Sequence, residues 1–227
     1  MSNNSICESV IWQSFSIKYC NFVFYLMKMG KYITDINQLD LNGTYSYADY
    51  LLWRFKERVE LFKGKIFEMS PAPNRKHQAV AGNLYQTLRF DFADKSCRMY
   101  FAPFDVRLVN HEKTTPEKTI FSVVQPDLCI ICNQSKLDDK GCLGAPDLVV
   151  EVLSPGNSKK ELGIKFNLYE ENGVLEYWLV NPLDESIIIY TLINGKYQGL
   201  KPCIDGEKIT SPLFPELDFE IAKIFVD

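Results

Sequence analysis

"GAPDLVVEVLSPGNSKKELGIKFNLYEENGVLEYWLVNP", residues 144–182, holds two apolar runs on either side of a helical pattern. Continuous β-branched residues between positions 147 and 153 imply a strand buried on both faces. Ser158-Lys159-Lys160-Glu161 has the capping-box pattern of a helix start, and Asn172-Gly173 marks its end. Residues 174–182 then read as a second strand, reached through a helical crossover and so parallel to the first. The unit predicts an α/β fold. It also raises a chemical question, because Glu151 stands in the middle of the first apolar run.

Outward from this unit, residues 44–55 read as a short surface helix capped near Thr44 or Ser46. "RVELFKGKIFEM" predicts two strands around Lys63-Gly64-Lys65. Pro71 and Pro73 stop that sheet, and Asn74 caps a helix through about Phe92, with Val80, Leu84 and Leu88 on one face. "RMYFAPFDVRLV" and "TIFSVVQPDLCII" each read as a strand, and "IIIYTLINGKYQGL" as a closing hairpin at Asn194-Gly195. Together these predict one mixed α+β sheet with flanking helices, as a single domain over residues 30–227. Residues 1–29 are set apart as an extension, either loosely held or a partner-binding helix.

With 227 residues, 46% hydrophobic and 24% charged, the composition suits a globular protein and neither a disordered chain nor a membrane span. A formal charge of −4 disfavours broad nucleic-acid binding, although local basic clusters can still supply it. Seven scattered cysteines fit reduced thiols in a cytoplasm. Cys129-Ile-Ile-Cys132 has half of a zinc spacing, but on a strand residues three apart face opposite ways, so inert thiols are expected.

Burying an ionised carboxylate is costly without compensation, so Glu151 needs a partner. Asp147 shares its face, but four residues of strand separate the two by about 13 Å. A neighbouring strand lies only about 4.8 Å away, and Asp127 opens one. Two carboxylates meeting in a dry pocket repel, whereas a divalent cation turns the repulsion into ligation. Oxygen donors of this kind suit Mg2+ or Mn2+. Glu151 could instead be protonated or paired with a lysine. On a helical wheel Lys165 lies beside Leu162, Phe166 and Tyr169, so its ammonium either reaches Glu151 or snorkels to solvent. Arg75-Lys76-His77 and Lys159-Lys160 place positive charge in first helical turns, where an external anion such as phosphate would be welcome.

The segments "ELFKGKIFEMSPAPNRKHQ", "FAPFDVRL", "VVQPDLCII" and residues 144–182 together resemble the Uma-two family of restriction-endonuclease-like proteins, in the PD-(D/E)XK nuclease superfamily. The likeness runs from about residue 45 to 200. It implies a restriction-endonuclease-like core with added hairpins, a bacterial source, and magnesium-dependent phosphodiester hydrolysis. By it, Pro126-Asp127 stands for the superfamily's Pro-Asp and Glu151 for its second acid. Leu153 stands where the superfamily has lysine, and Lys165 looks like the substitute. Glu68 matches an acid at the edge of the site, while His77 and Asp105 match further polar positions.

The expectation is therefore a metal-dependent DNA endonuclease. Asp127, Glu151 and Glu68 would hold Mg2+ or Mn2+, and Lys165 would complete the catalytic set. Arg75, Lys76, His77, Lys159 and Lys160 would grip DNA phosphates. No membrane is involved, and a homodimer would suit action on two strands. The alternative is a nuclease-fold binding or regulatory module without turnover.

Overall fold

The computed structural model describes residues 32–69, 73–92, 96–109, 116–154 and 159–226, with residues 159–161 as main chain only. The extension at residues 1–29 and the helix-start residue Ser158 lie outside them.

β1 (Val59–Phe62) and β2 (Lys65–Glu68) form the first hairpin. It turns through Lys63 and Gly64, both at positive φ (51° and 80°), which glycine at the second position makes easy. α1 (Tyr47–Tyr50) precedes it, with Ser46 and Asp49 forming a capping box. α2 (Arg75–Asp91) starts where Asn74 accepts a hydrogen bond from the His77 amide.

The two runs that read as single strands each divide. Residues 98–108 form β3 (Arg98–Phe101) and β4 (Val106–Leu108), with a cis Ala102–Pro103 peptide between them. Residues 122–131 form β5 (Ser122–Val124) and β6 (Leu128–Ile131), parted at Pro126. A proline has no N–H to give a ladder, so pairing lapses at both places. Each run leaves one sheet there and joins another.

The expected single sheet is therefore two mixed sheets. The first has the order β2-β1-β5-β4-β8-β7, where β7 (Leu137–Asp138) and β8 (Gly141–Leu143) form a small hairpin absent from the sequence reading. The second has the order β12-β11-β10-β9-β6-β3, with β9 (Leu148–Val152), β10 (Glu176–Asn181), β11 (Ser186–Ile193) and β12 (Lys196–Gly199). β9 and β10 are parallel and joined through α3 (Lys159–Asn172), as the crossover predicts. Gly173 (φ 81°) ends that helix, and Asn194-Gly195 turns the final hairpin.

All five residues of β9 are buried because the second sheet is covered on both sides. Val80, Leu84 and Leu88 of α2 pack with Ile130, Val150 and Trp178 on one side. Leu168 and Tyr169 of α3, with Phe62, Val106 and Val124 of the first sheet, meet Val149 and Tyr177 on the other. β6 shows the same division: Cys129 belongs to the second of these clusters, while Cys132 packs on the first. Cys132 is not a free thiol. It forms a disulfide with Cys97, because the register Arg98↔Ile131 brings the flanking positions face to face. Cys129 and Cys142 are free and buried. Among the described residues no helix is long and apolar enough to cross a membrane.

Candidate active site

Where the chain changes sheets, five elements converge. Asp127 sits just ahead of β6, and its Oδ2 accepts a hydrogen bond from the Val152 amide at 2.8 Å. The contact fixes Asp127 against the end of β9, next to Glu151. Glu151 Oε1 accepts from Tyr169 Oη at 2.6 Å and from Lys165 Nζ at 3.0 Å, both on α3. Lys165 reaches a second acid on the far side, with Nζ 3.2 Å from Glu60 Oε2 of β1. The other oxygen of Glu60 accepts the Gln125 amide at 2.8 Å, so the sheet-switching segment is tied to the same group. From α2, His77 Nε2 lies 3.3 Å from Asp127 Oδ2.

Burial is steep across this group. Glu60 is 2% exposed, Lys165 5%, His77 6% and Glu151 8%, while the Asp127 side chain reaches 22%. The group thus meets solvent at Asp127. Burial pushes the Glu151 carboxyl up; Lys165 opposes this and the Asp127 and Glu60 charges add to it, bringing the value to about 7. One ammonium facing two carboxylates with a third close by leaves a surplus of negative charge, which favours an extra proton. Burial alone would lower Lys165, but Glu151 and Glu60 outweigh it and hold the ammonium charged. His77 is likewise raised, its burial outweighed by the hydrogen bond and charge of Asp127. Its Nδ1 is buried without a hydrogen-bond partner among the described residues.

Asp127 and Glu151, predicted on neighbouring strands, are thus brought together, and Lys165 turns inward rather than snorkelling. Glu68 is not brought to them. In the hairpin register Val59 faces Glu68 and Glu60 faces Phe67, so Glu68 lies on the opposite face of the sheet from Glu60, and it is exposed. The acid that this hairpin contributes to the group is Glu60, not the expected Glu68. Its signal was the same as that of Glu151: a carboxylate inside an apolar run, "VELF". By sequence, Tyr169 is only a packing residue on the apolar face of α3.

Asp105 stands one layer away. Its Oδ1 accepts from Gln125 Nε2 at 2.8 Å and Tyr50 Oη at 3.3 Å, and its main-chain oxygen accepts from the Cys142 amide. It braces Gln125, which in turn holds Glu60. Asp147 binds the Cys132 amide at 2.7 Å, away from the group. Arg75 is exposed at the start of α2, and Lys76 pairs with Glu185 at 3.2 Å. The side chains of Lys159 and Lys160 lie outside the described residues.

Among the described residues no three His, Cys, Asp or Glu side chains converge as a ready-made metal cage. Magnesium needs less, since it is commonly held by one or two carboxylates, with waters and substrate phosphate completing the shell. Asp127 and Glu151 fit that need.

Residues 47–222 match the family model of Uma2, described as "Putative restriction endonuclease". This chain belongs to the Uma2 family. The Uma2 match contains Glu60, His77, Asp127, Glu151 and Lys165. An uncharacterized protein of Synechocystis sp., slr1290, is 28% identical over 148 residues, covering 64% of this chain and 73% of that protein. The crystal structure of a protein from Anabaena variabilis, described as a "putative nuclease belonging to DUF820", superposes with a TM-score of 0.62 at 18% identity. It covers 80% of this chain and 97% of that one, and shows that the two share a fold.

Proposed function

We propose that this Uma2 protein is a metal-dependent endonuclease that hydrolyses DNA phosphodiester bonds. The observation that carries the reading is Lys165, held charged between Glu60 and Glu151 beside the more accessible Asp127. A superfamily site needs a cation next to its second acid. Leu153 removes it from the strand, and Lys165 brings one from α3 to 3.0 Å of the Glu151 oxygen.

A Mg2+ or Mn2+ ion held by Asp127 and Glu151 would supply positive charge to the phosphate and lower the pKa of an attacking water. The chain's own residues do the rest. Lys165, too firmly protonated to act as a base, fixes the Glu151 carboxylate and offsets negative charge gathering at the phosphate. Tyr169, one turn further along α3, holds the same oxygen. His77 and the Val152 amide share Asp127 Oδ2 and so set the rotamer of that carboxylate. Arg75 and the first turns of α2 and α3, where Lys159 and Lys160 stand, would grip flanking phosphates, contacts that position a strand without reading it. A homodimer would set two such sites against the two strands of a duplex.

A binding or regulatory module without turnover is the second reading, favoured by the engagement of Glu60 and Glu151 with Lys165 rather than an open cage of three ligands. The deciding experiment incubates supercoiled, linear and branched DNA with the protein over a titration of magnesium and manganese, with Asp127→Ala in parallel. Metal-dependent cleavage lost in Asp127→Ala supports the endonuclease. Intact DNA under every condition, identical to the variant, supports the module.

A further inference from the structure

Next to the His77–Asp127 pair a cleft of about 220 Å³ opens between α2 and the end of β3. Its apolar walls include Ala81, Tyr85, Phe101 and Ala102, with Gln78 as the amide among them. Tyr85 and Phe101 meet edge to face at 5.0 Å between ring centroids, and Phe101 is 58% exposed although its strand is part of the core sheet. Gly82, exposed on α2, borders the cleft, and a Cβ built there meets nothing within 4 Å. The Ala102 amide donates to the main-chain oxygen of Asp127, so the aromatic wall and the acid belong to one rigid corner.

We propose that this cleft is a nucleobase subsite, and that the DNA taken by the endonuclease proposed above carries an unpaired base beside the scissile phosphate. The inference rests on that reading for its substrate class. Four observations carry it. The cleft shares His77 and Asp127 with the reacting group, so whatever fills it is a direct neighbour of the phosphate. Its volume falls below the roughly 300–1,000 Å³ of pockets for drug-sized ligands and suits a single ring system. An exposed phenylalanine beside a tyrosine is the surface on which a base stacks when it has left its helix. Gln78 offers both a donor and an acceptor, as the edge of a base requires. A base inside a regular duplex has both faces covered by its neighbours and must first unstack to enter; one in a bulge, flap or single strand need not.

The test is binding of a short duplex with one bulged adenosine against the same duplex with an abasic bulge, measured by fluorescence anisotropy in EDTA so that no cleavage occurs. The native protein should bind the base-bearing bulge about fivefold or more tighter, the lower end of what stacking one base contributes. Gly82→Leu places a bulky side chain at the border of the cleft from a helical position with open space, and Phe101→Ala removes a largely exposed ring, so both variants should fold; circular dichroism melting checks this. In each the ratio should fall to about one. Equal affinities in the native protein, or a ratio retained in folded Gly82→Leu, overturn the subsite. Discrimination without metal-dependent cleavage keeps the subsite and overturns the endonuclease; cleavage without discrimination does the reverse. Failure to bind any of these DNAs, together with no metal-dependent cleavage, overturns both.

Discussion

Lys165 lies between two carboxylates that are almost completely buried, and neither has another cation within ion-pair distance among the described residues. Removing one partner of a buried ion pair leaves uncompensated charge. Lys165→Met is therefore expected to lower stability by about 3–5 kcal/mol in urea unfolding. The surplus negative charge also sets a pH dependence. Glu151 rises from an ordinary 4.5 to about 7 in the folded state, so between those values the folded protein binds a proton that the unfolded chain has lost. This contribution weakens the fold as pH rises through the window and is constant above it. Urea midpoints measured in chelator should fall from pH 5 to pH 8, and Glu151→Gln should flatten that fall. Glu151 and Lys165 were legible in the sequence because an acid in an apolar strand and a lysine on an apolar helix face are both anomalies. Glu60 was harder, since its run is short and flanked by Arg58 and Lys63. Choosing between Glu60 and Glu68 requires the hairpin register, and a shift of one residue exchanges the faces.

At the level of elements, the site exists because two chain segments cross between sheets at one place. The prolines that cause the crossings, Pro103 and Pro126, stood in the sequence, but hydrophobic patterning ran straight through them. What joins the crossings is tertiary: Asp105 braces Gln125, and the β7–β8 hairpin folds over the Asp105 backbone. Gly141 permits this approach. It has φ +113°, and a Cβ there would stand 2.2 Å from the Asp105 oxygen. Gly141→Ala should cost about 2 kcal/mol or more in melting experiments, because strain adds to displacement of the backbone. Gly173→Ala, at φ +81° with open space around it, should cost about 1 kcal/mol. A reversed order would show that the hairpin does not press on Asp105 as described. The small hairpin left little sign in the sequence because its strands have two and three residues.

For the whole molecule, the parallel β9–α3–β10 unit was the most legible part, since strand, helix, helix stop and return strand all agreed. Its packing between α2 on one side and the first sheet on the other follows from tertiary contacts that no local pattern encodes. That packing places Asp127 and Glu151 at the junction of both sheets and leaves Asp127 the accessible member. The central claim is that these two carboxylates act as one binding unit for a hard cation. Isothermal titration of Mg2+ into the native protein, Asp127→Asn and Glu151→Gln tests it most directly. The account expects a saturable site in the native protein and at least a tenfold loss of affinity in either folded variant. Titrations indistinguishable among the three proteins would contradict it.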